Sequence, residues 1–401
     1  MRVLPPAWNS NVPVFCLLAM LSVWHGAARA ETDNPLDLRA LLSNQSDSNL
    51  FRQPAAASNR VAEQINIATL GLGFKTQQSL QSFDLNLNLV DVHYQNFSYL
   101  NYTANNYDAA WRFAITPRLR GTLSSSNQET LSNYADVQNN SVRYLNTNRT
   151  SRVDASYGVD GPWMVSTGLT QSLQSNQRDQ ATGSDFSSVA SDLSLSYQFS
   201  SGSSASITSR VAKGEYLNPP AVFSTFFDNN FNQAETEARL RWAVSEITTA
   251  DLHVTERSVS HPHVAARDFS GTVAGVDGSW AITGQILLTA SWSQALDTYQ
   301  TIDANYSRAE RTSLGLDWQM KSKVALSLRT DSSNVRYLDG PIPFLQSQRR
   351  DDLNNTSMTL TWSPRKQLTV SASVQNATRA SNTPGLDYAS NLTSLTAQVN
   401  F

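Results

Sequence analysis

Cysteine is almost absent from this chain. Its 401 residues include one cysteine, Cys16, which lies inside a short apolar run near the N-terminus. A disulfide framework and a thiolate metal site each need several cysteines, so both are excluded. A cysteine nucleophile is excluded as well if the N-terminal segment is removed.

Charge and long apolar runs are also scarce. Charged residues make up 16% of the sequence, below the roughly 25% that is usual for soluble domains. Ser, Thr, Asn and Gln take their place, which suits a chain with one face toward lipid and the other toward water. Beyond Ala30 no stretch approaches the about eighteen apolar residues of a membrane-spanning helix. The net charge of −3 does not favour a nucleic-acid-binding protein.

The N-terminus has the form of a cleavable signal peptide, predicted over residues 1–30. Arg2 supplies a positive charge, an apolar core occupies residues 14–23, and Ala28-Arg29-Ala30 resembles a signal peptidase site. The core is too short to span a bilayer as a helix, which takes about twenty residues. A retained membrane anchor is the alternative. Cleavage would remove Arg2 and Arg29, leaving 30 − 2 = 28 basic against 33 acidic residues.

Apolar and polar residues alternate through the rest of the chain. From Leu368 to Gln375 every even position is apolar and every odd position is polar. Alternate side chains of a strand point to opposite faces, so such segments have one apolar and one polar face. The pattern predicts strands near 36–44, 65–75, 79–93, 104–116, 118–130, 143–159, 163–174, 187–199, 203–216, 233–245, 248–260, 267–281, 284–298, 305–319, 323–336, 350–363, 366–379 and 388–401.

These segments predict an all-β fold, namely a transmembrane antiparallel up-and-down β-barrel of about 18 strands, with 16 as the alternative. The barrel is predicted to occupy residues 31–401 as one domain. Residues 31–64 would hold the first strand and a long loop, or an N-terminal extension. Short connections such as Gly161-Pro162 alternate with long ones, as expected for short periplasmic turns and long extracellular loops. Both termini would then be periplasmic.

Proline and the aromatic residues agree with this prediction. The prolines beyond residue 30, Pro364 included, fall outside the predicted strands, since a proline removes a donor from the strand ladder. Amphipathic aromatics prefer the membrane interface. They predict a periplasmic girdle and an outer girdle, the alternative being core aromatics of a β-sandwich. The periplasmic girdle comprises Trp163, Phe199, Trp242, Trp280, Trp318, Trp362 and Phe401; the outer one Tyr94, Tyr216, Tyr299, Tyr306 and Tyr337.

With the apolar face outward, the polar face lines a water-filled lumen. The predicted lining residues are Arg112, Arg120, Arg152, Asp154, Arg210, Arg239, Arg241, Asp251, Asp317 and Arg329. Two interpretations stay open. Arginines and aspartates could pair across strands as a solvated wall, or the arginines could form a track that attracts an anionic chain.

Sequence motifs for catalysis are absent. There is no His-Glu-x-x-His, no Gly-x-Ser-x-Gly and no phosphate-binding glycine loop. His261-Pro262-His263 could suggest a metal pair, but a solvated loop is the favoured interpretation. We therefore predict no catalytic residue, no metal site and no cofactor.

Several segments carry a family resemblance. They are Asn49-Leu50-Phe51-Arg52, the run from Tyr94 to Gly121, Gly214 to Asn218, Arg267 to Gly271, Trp280 to Gly284, and the tail from Ser371 to Asn391. Through them the chain resembles the EpsL outer-membrane proteins associated with exosortase and PEP-CTERM exopolysaccharide systems, over nearly the whole mature length. The resemblance implies an outer-membrane role in exopolysaccharide biosynthesis and export beside periplasmic and inner-membrane partners. It implies no catalytic residues.

These observations lead to an expected function. We expect a protein of the Gram-negative outer membrane that acts as a passive conduit for a secreted polysaccharide. One alternative is a general porin for small solutes; another is a barrel enzyme acting on lipid or polysaccharide. Expected partners are outer-membrane lipid, the polysaccharide chain, other export components and the outer-membrane assembly machinery. Such machinery reads a C-terminal strand that ends on an aromatic residue, here Phe401. No nucleic-acid partner is expected.

Overall fold

A computed structural model describes residues 35–401 except 55, 58–59, 133, 136–141, 160, 177–184, 218–226, 300, 302, 343 and 345. The predicted signal peptide lies outside the described residues and stays a prediction. In the described part, no helix has both the length and the apolarity needed to cross a membrane.

Strands make up nearly all of the described secondary structure, and every predicted strand is present. The bounds are β1 Leu36–Asp47, β2 Glu63–Gln78, β3 Gln81–Tyr94, β4 Tyr102–Ala114, β5 Leu119–Leu131, β6 Leu145–Gly158, β7 Trp163–Ser175, β8 Phe186–Gln198, β9 Ser204–Tyr216, β10 Asn230–Ser245, β11 Thr248–Ser260, β12 Phe269–Thr283, β13 Ile286–Thr298, β14 Ala304–Lys321, β15 Val324–Asp339, β16 Arg350–Arg365, β17 Leu368–Ser381 and β18 Tyr388–Asn400. Two single-turn 3-10 helices, Ser98–Leu100 and Ala265–Arg267, lie in connections.

The strands form one closed antiparallel sheet. Each strand pairs with its neighbours in sequence, and β1 also pairs with β18, from Arg39 opposite Asn400 to Asp47 opposite Leu392. The predicted 18-stranded barrel is therefore confirmed. Closure removes the two free edge strands of an open sheet, whose unpaired peptide groups lipid could not satisfy.

The two faces of the wall differ as the alternation requires. On β1, Leu42 is 67% exposed on the outer face, whereas its neighbour Ser43 is 7% exposed on the inner face. Large apolar residues such as Leu70 and Leu314 share the outer face and are more than half exposed. In a bilayer this surface meets hydrocarbon, so its exposure is what a lipid-facing wall needs.

The ends of the barrel also differ. We call the end with the short connections the turn end and the other the loop end. At the loop end, three groups of inward residues are buried beneath connecting loops. One group contains Tyr94, another Tyr216, and the third Tyr299 and Tyr337.

The predicted outer girdle is therefore wrong for four of its five tyrosines. Tyr94, Tyr216, Tyr299 and Tyr337 are each less than 10% exposed. Tyr306 has the outward parity of β14 but is partly buried, stacked on Phe269 with ring centroids 4.7 Å apart. The physical reason is that loops fold against the inner wall here, and aromatic rings gain more from this burial than from a place at the headgroup level.

Pro364 also departs from the prediction, because it lies inside β16, one residue before the strand ends. The β16–β17 register shifts between Trp362 and Arg365, so the missing N–H falls at an irregular point of the ladder. The Pro364 carbonyl accepts a hydrogen bond from Lys323 Nζ at 2.7 Å.

Barrel closure can be tested by cross-linking β1 to β18. Ser43 and Thr396 are directly opposite, with their hydroxyl oxygens 2.8 Å apart, within the range of a disulfide between facing strands. We expect the mature Ser43→Cys/Thr396→Cys variant to form a disulfide on oxidation, seen as altered gel mobility of the unfolded chain. Ser43→Cys/Ala397→Cys is the matched control, since these side chains point to opposite faces. Equal cross-linking in both variants would contradict the register.

Candidate channel lumen

The predicted lining residues occupy inner-face positions. Arg239 is opposite His253, Arg241 is opposite Asp251, and Arg329 is opposite Gly315. By the same registers, Arg112, Arg120, Arg152, Asp154, Arg210 and Asp317 lie on the face away from the exposed apolar residues. The structure therefore places this set along several strands of one wall, and its members differ in their partners.

Arg152 is the most extensively bonded of them. Its guanidinium reaches from β6 across β7 to Asp192 on β8, with Nη1 2.6 Å from Oδ1 and Nη2 3.1 Å from Oδ2. Nη1 also donates to Thr170 Oγ1 at 2.8 Å, and Nε is 3.4 Å from Asp154. Gly168 on β7 makes this possible, because a Cβ there would lie 2.3 Å from Arg152 Nη2. The arginine consequently lies flat on the wall instead of crossing the lumen.

The charged surface continues from β9 to β11. Glu235 lies between Arg210 at 3.9 Å and Arg257 at 3.5 Å. Arg257 also donates to the Leu296 carbonyl on β13 at 2.5 Å. The β12–β13 ladder extends only from Gly275 to Thr283, so Arg257 satisfies a carbonyl beyond the point where that ladder stops.

A second charged group lies nearer the turn end. Arg239 binds Glu237 at 3.0 Å, and Asp251 lies 3.5 Å from Arg239 and 3.4 Å from Arg241. Carboxylates therefore neutralise most arginines on β6–β11. Glu235, Glu237 and Asp192 are three of these carboxylates. This arrangement favours the paired wall over an arginine track on β6–β11.

Asp251, His253 and Asp277 are the candidate metal ligands of the described residues, with ligand atoms within 4.8 Å of one another. His253, in the middle of β11, lies over Gly275 of β12. A Cβ at position 275 would come 2.3 Å from the His253 ring. Two arginines already contact Asp251, and a cation would have to displace them. The group is better explained as part of the charged wall.

Arg120 and Arg329 form no ion pair with any described residue, unlike the other arginines of the predicted set. Arg112 contacts Asp84. Asp317 accepts a hydrogen bond from Ser327 at 2.5 Å.

Strands β16 to β18 present a different inner surface. Here we define the hydroxyl strip as Ser357, Thr359, Ser373, Gln375, Ser394 and Thr396, all inward by register. Ser373 and Ser394 are 2.7 Å apart between their hydroxyl oxygens, and Ser43 of β1 continues the row beside Thr396. The inward charges on these three fully described strands, Asp351 and Arg379, lie at the loop end. The lumen wall is thus charged on most strands, and β16–β18 carry a strip of neutral hydroxyl and amide groups.

Loops narrow the lumen at the loop end. Phe51, from the β1–β2 connection, packs against Phe97 and Tyr134 with ring centroids 5.1 and 5.0 Å apart. Tyr134 belongs to the β5–β6 connection, and its neighbour Ala135 accepts a hydrogen bond from Arg379 on β17. Because β17 and β5 are separated by five strands around the ring, this connection reaches across the opening. Arg379 is 3% exposed and also donates to the Leu386 carbonyl at 2.5 Å.

A second loop contact lies on the far side of the opening. Asp228 accepts hydrogen bonds from the His263 backbone N–H at 2.5 Å and from the Val264 N–H at 3.1 Å. Its burial favours the neutral acid, but bonds from the Asn230 N–H and from His263 outweigh that effect and lower the pKa of the carboxyl. Arg267 is buried beside Asn305, and desolvation lowers its pKa to about 10.

The expectation of a solvated histidine loop is wrong for His261. This side chain is 1% exposed and faces the Tyr216 ring, with centroids 6.2 Å apart. Burial lowers the pKa of His261, while Asp268 and Asp228 oppose the change and Arg267 adds to it. His263 instead is exposed and bonds to Asp228.

At the turn end, the predicted girdle residues all lie outward and exposed. Their exposures run from 38% for Trp318 to 75% for Phe401. Trp163 contacts Tyr197, and Tyr197 contacts Phe199, each with ring centroids 4.8 Å apart. These contacts form a continuous aromatic row beside a short turn, although the membrane level of this row stays a prediction.

Solved structures with a similar fold include several from Pseudomonas aeruginosa. OccK2 (OpdF) superposes with a TM-score of 0.52 at 9% identity, covering 91% of this chain and 98% of that one. OccK5 (OpdH) gives 0.52 at 11% identity with the same coverages. OccK2 in complex with glucuronate gives 0.51 at 9% identity. These neighbours are outer-membrane porins. This chain is an outer-membrane β-barrel. The barrel matches no protein-family model and no curated protein.

Sequence reasoning missed several residues of this outer-membrane barrel. The acids Glu235 and Glu237 alternate inward on the same strand as Arg239, so the alternation could have placed them. The alternation along β17 likewise places Arg379 inward. Its contact with Ala135, however, joins residues 244 positions apart. No local pattern predicts that contact.

The buried histidine predicts a pH response of the β11–β12 loop. With a lowered pKa, His261 stabilises the closed loop fully above its ordinary pKa near 6.5. That stabilisation declines as the pH falls toward the lowered value, because the opened loop binds a proton first. We expect amide exchange at residues 261–268, corrected for intrinsic rates, to rise by up to about tenfold per pH unit below 6.5. Asp228, with its lowered pKa, would weaken the loop only below about pH 4.

The matched variant is His261→Gln, which cannot titrate. Its corrected exchange should change little between pH 7.5 and 5.5. A wild-type profile as flat as that of His261→Gln would show that the histidine does not control the loop.

Proposed function

We propose that this protein is a passive outer-membrane channel for small hydrophilic solutes, small saccharides among them. The observation that carries the proposal is the lumen wall, which combines the hydroxyl strip on β16–β18 with paired charges on the other strands. Neutral hydroxyl and amide groups of the hydroxyl strip can exchange hydrogen bonds with sugar hydroxyls. The charged groups on the other strands are paired, so they hold water without binding an ion tightly.

The loop end supports a small solute over a polymer. Tyr134 and Ala135 extend across the opening and are anchored by the buried Arg379. Hydrophobic packing around Phe51 stabilises the same loops. A constriction built from packed side chains restricts solute size, because its opening would cost the burial of those side chains.

The proposal can be tested by swelling of proteoliposomes that contain the mature barrel. Monosaccharides and glucuronate should enter, and entry should slow as saccharide length increases. Arg379→Ala should raise single-channel conductance because it releases the loop, whereas Arg365→Ala, at the turn end of neighbouring β16, should not. A barrel that conducts no ions and admits no sugar would overturn the proposal.

The second candidate is a conduit for a secreted polysaccharide. It is favoured by the hydroxyl strip and by the resemblance to the EpsL proteins. A gene deletion separates the two. Loss of surface polysaccharide with periplasmic accumulation supports the conduit, and reduced small-solute uptake with normal polysaccharide supports the small-solute channel.

Ion selectivity should depend on the Arg152–Asp192 pair. Asp192→Asn leaves one uncompensated positive charge on the wall, so we expect the anion-to-cation permeability ratio to rise about twofold. Arg152→Gln should lower it, and the double variant should return close to wild type. Reversal potentials in a potassium chloride gradient measure all three. No change in either single variant would show that the permeation path avoids this wall.

A further inference from the structure

Three arginines stand side by side on the outer face of the barrel near the loop end. Arg308 on β14 is directly opposite Arg336 on β15, and Arg336 is directly opposite Arg350 on β16. Side chains at such positions have Cβ atoms about 4.5–5.5 Å apart, and like charges there are destabilising. We call this set the arginine row.

The row faces outward. Arg308 has the same strand parity as Leu314, Leu316 and Trp318, which lie on the exposed apolar face. All three arginine side chains are in exposed residues. They therefore do not belong to the lumen and take no part in the channel proposed above.

Their charges lack a close counter-ion among the described residues. Arg308 donates to Gln294 at 3.2 Å, and neither it nor the other two arginines has a carboxylate oxygen within 4.0 Å in the described part. Glu310 and Asp352 occupy the next outward row, where Gln294 and Asn334 bind them. Asp339, which accepts a hydrogen bond from Tyr306 beside Arg308, is a third nearby acid. The three acids balance the three arginines in total charge, but none of them lies within 4.0 Å of an arginine of the row. Inner-wall arginines such as Arg152 are, by contrast, tightly paired.

The height of the row matches the outer membrane interface. Arg308 is 318 − 308 = 10 residues along β14 from Trp318 of the turn-end girdle. At about 3.4 Å per residue and a strand tilt of about 40°, this is a height of about 26 Å. The apolar band of an outer-membrane barrel is about 25 Å tall. With the short turns in the periplasm, the row lies at the headgroups of the outer leaflet.

An apolar surface lies below the row on the same strands. Its outward residues Leu314, Leu328 and Met358 are 53%, 40% and 45% exposed. Leu314 is six residues below Arg308 (314 − 308), or about 20 Å along the strand. A cationic row above an apolar surface is complementary to an anionic headgroup with acyl chains.

We propose that the arginine row binds the phosphorylated headgroup of an outer-leaflet lipid whose acyl chains lie along the apolar surface below it. Guanidinium groups bind phosphate oxygens with paired, charge-assisted hydrogen bonds. A phosphate between neighbouring arginines also removes their mutual repulsion. The bound lipid would stabilise β14–β16 at the loop end.

The test uses the full mature barrel in detergent with diphosphorylated lipid A as the probe. Arg308→Gln/Arg336→Gln/Arg350→Gln should weaken binding by about tenfold or more, since three charged contacts are lost. Arg118→Gln/Arg365→Gln, which removes cations at the turn end, is the matched control and should bind like wild type. Heat-modifiable gel mobility confirms that each variant is folded.

Two further probes distinguish the source of the phosphate. Dephosphorylated lipid should bind the wild type as weakly as lipid A binds the triple glutamine variant. Inorganic phosphate alone should neither bind with the affinity of lipid A nor displace it at equal concentration. Equal binding of lipid A to the wild type and the triple variant, equal binding of the dephosphorylated lipid, or displacement by inorganic phosphate would each overturn the proposal.

Discussion

Hydrocarbon gives a peptide group no hydrogen-bond partner, and the molecule is organised around that constraint. The β1–β18 pairing closes the sheet, so no strand edge meets lipid. Where a ladder stops early, a side chain donates the hydrogen bond to the backbone carbonyl. Arg257 donates to the Leu296 carbonyl. Asn127 donates to the Asn105 carbonyl at 3.0 Å, beside the short β4–β5 ladder. Both sites lie near the loop end, where the sheet can open without exposing its backbone to hydrocarbon.

Inside the barrel, water can hydrogen-bond to any polar group, so the limiting factor is space. Side chains lie against the wall when the neighbouring strand has a glycine, as Arg152 does over Gly168. Long side chains therefore line the lumen without filling it. Occlusion comes instead from the loops, whose apolar residues pack on inward Ile65 and Val92. In the channel proposed above, permeation would be controlled by loop packing at one end more than by the barrel diameter.

The charges of the two faces serve different surroundings. On the inner wall, arginines and carboxylates neutralise one another over short distances, which keeps a wide pore hydrated without a strong fixed field. On the outer face, Arg308, Arg336 and Arg350 have no such compensation in the described part of the chain. A barrel that pairs most of its inner arginines and leaves an outer row unpaired is suited to contact with an anionic membrane surface.

Strand number, approximate strand bounds and the face of each lumen residue follow from the sequence, because the period of two is a local property of every strand. Trp318 and Arg239 could be assigned to their faces this way. The partners of Arg152 and Arg379 could not, since Asp192 is 40 residues away and Ala135 is 244 residues away. The tyrosines at the loop end were placed wrongly for the same reason. Whether a ring at a strand end meets lipid or a buried cluster depends on how distant loops fold over it, and only the closed barrel brings those loops together.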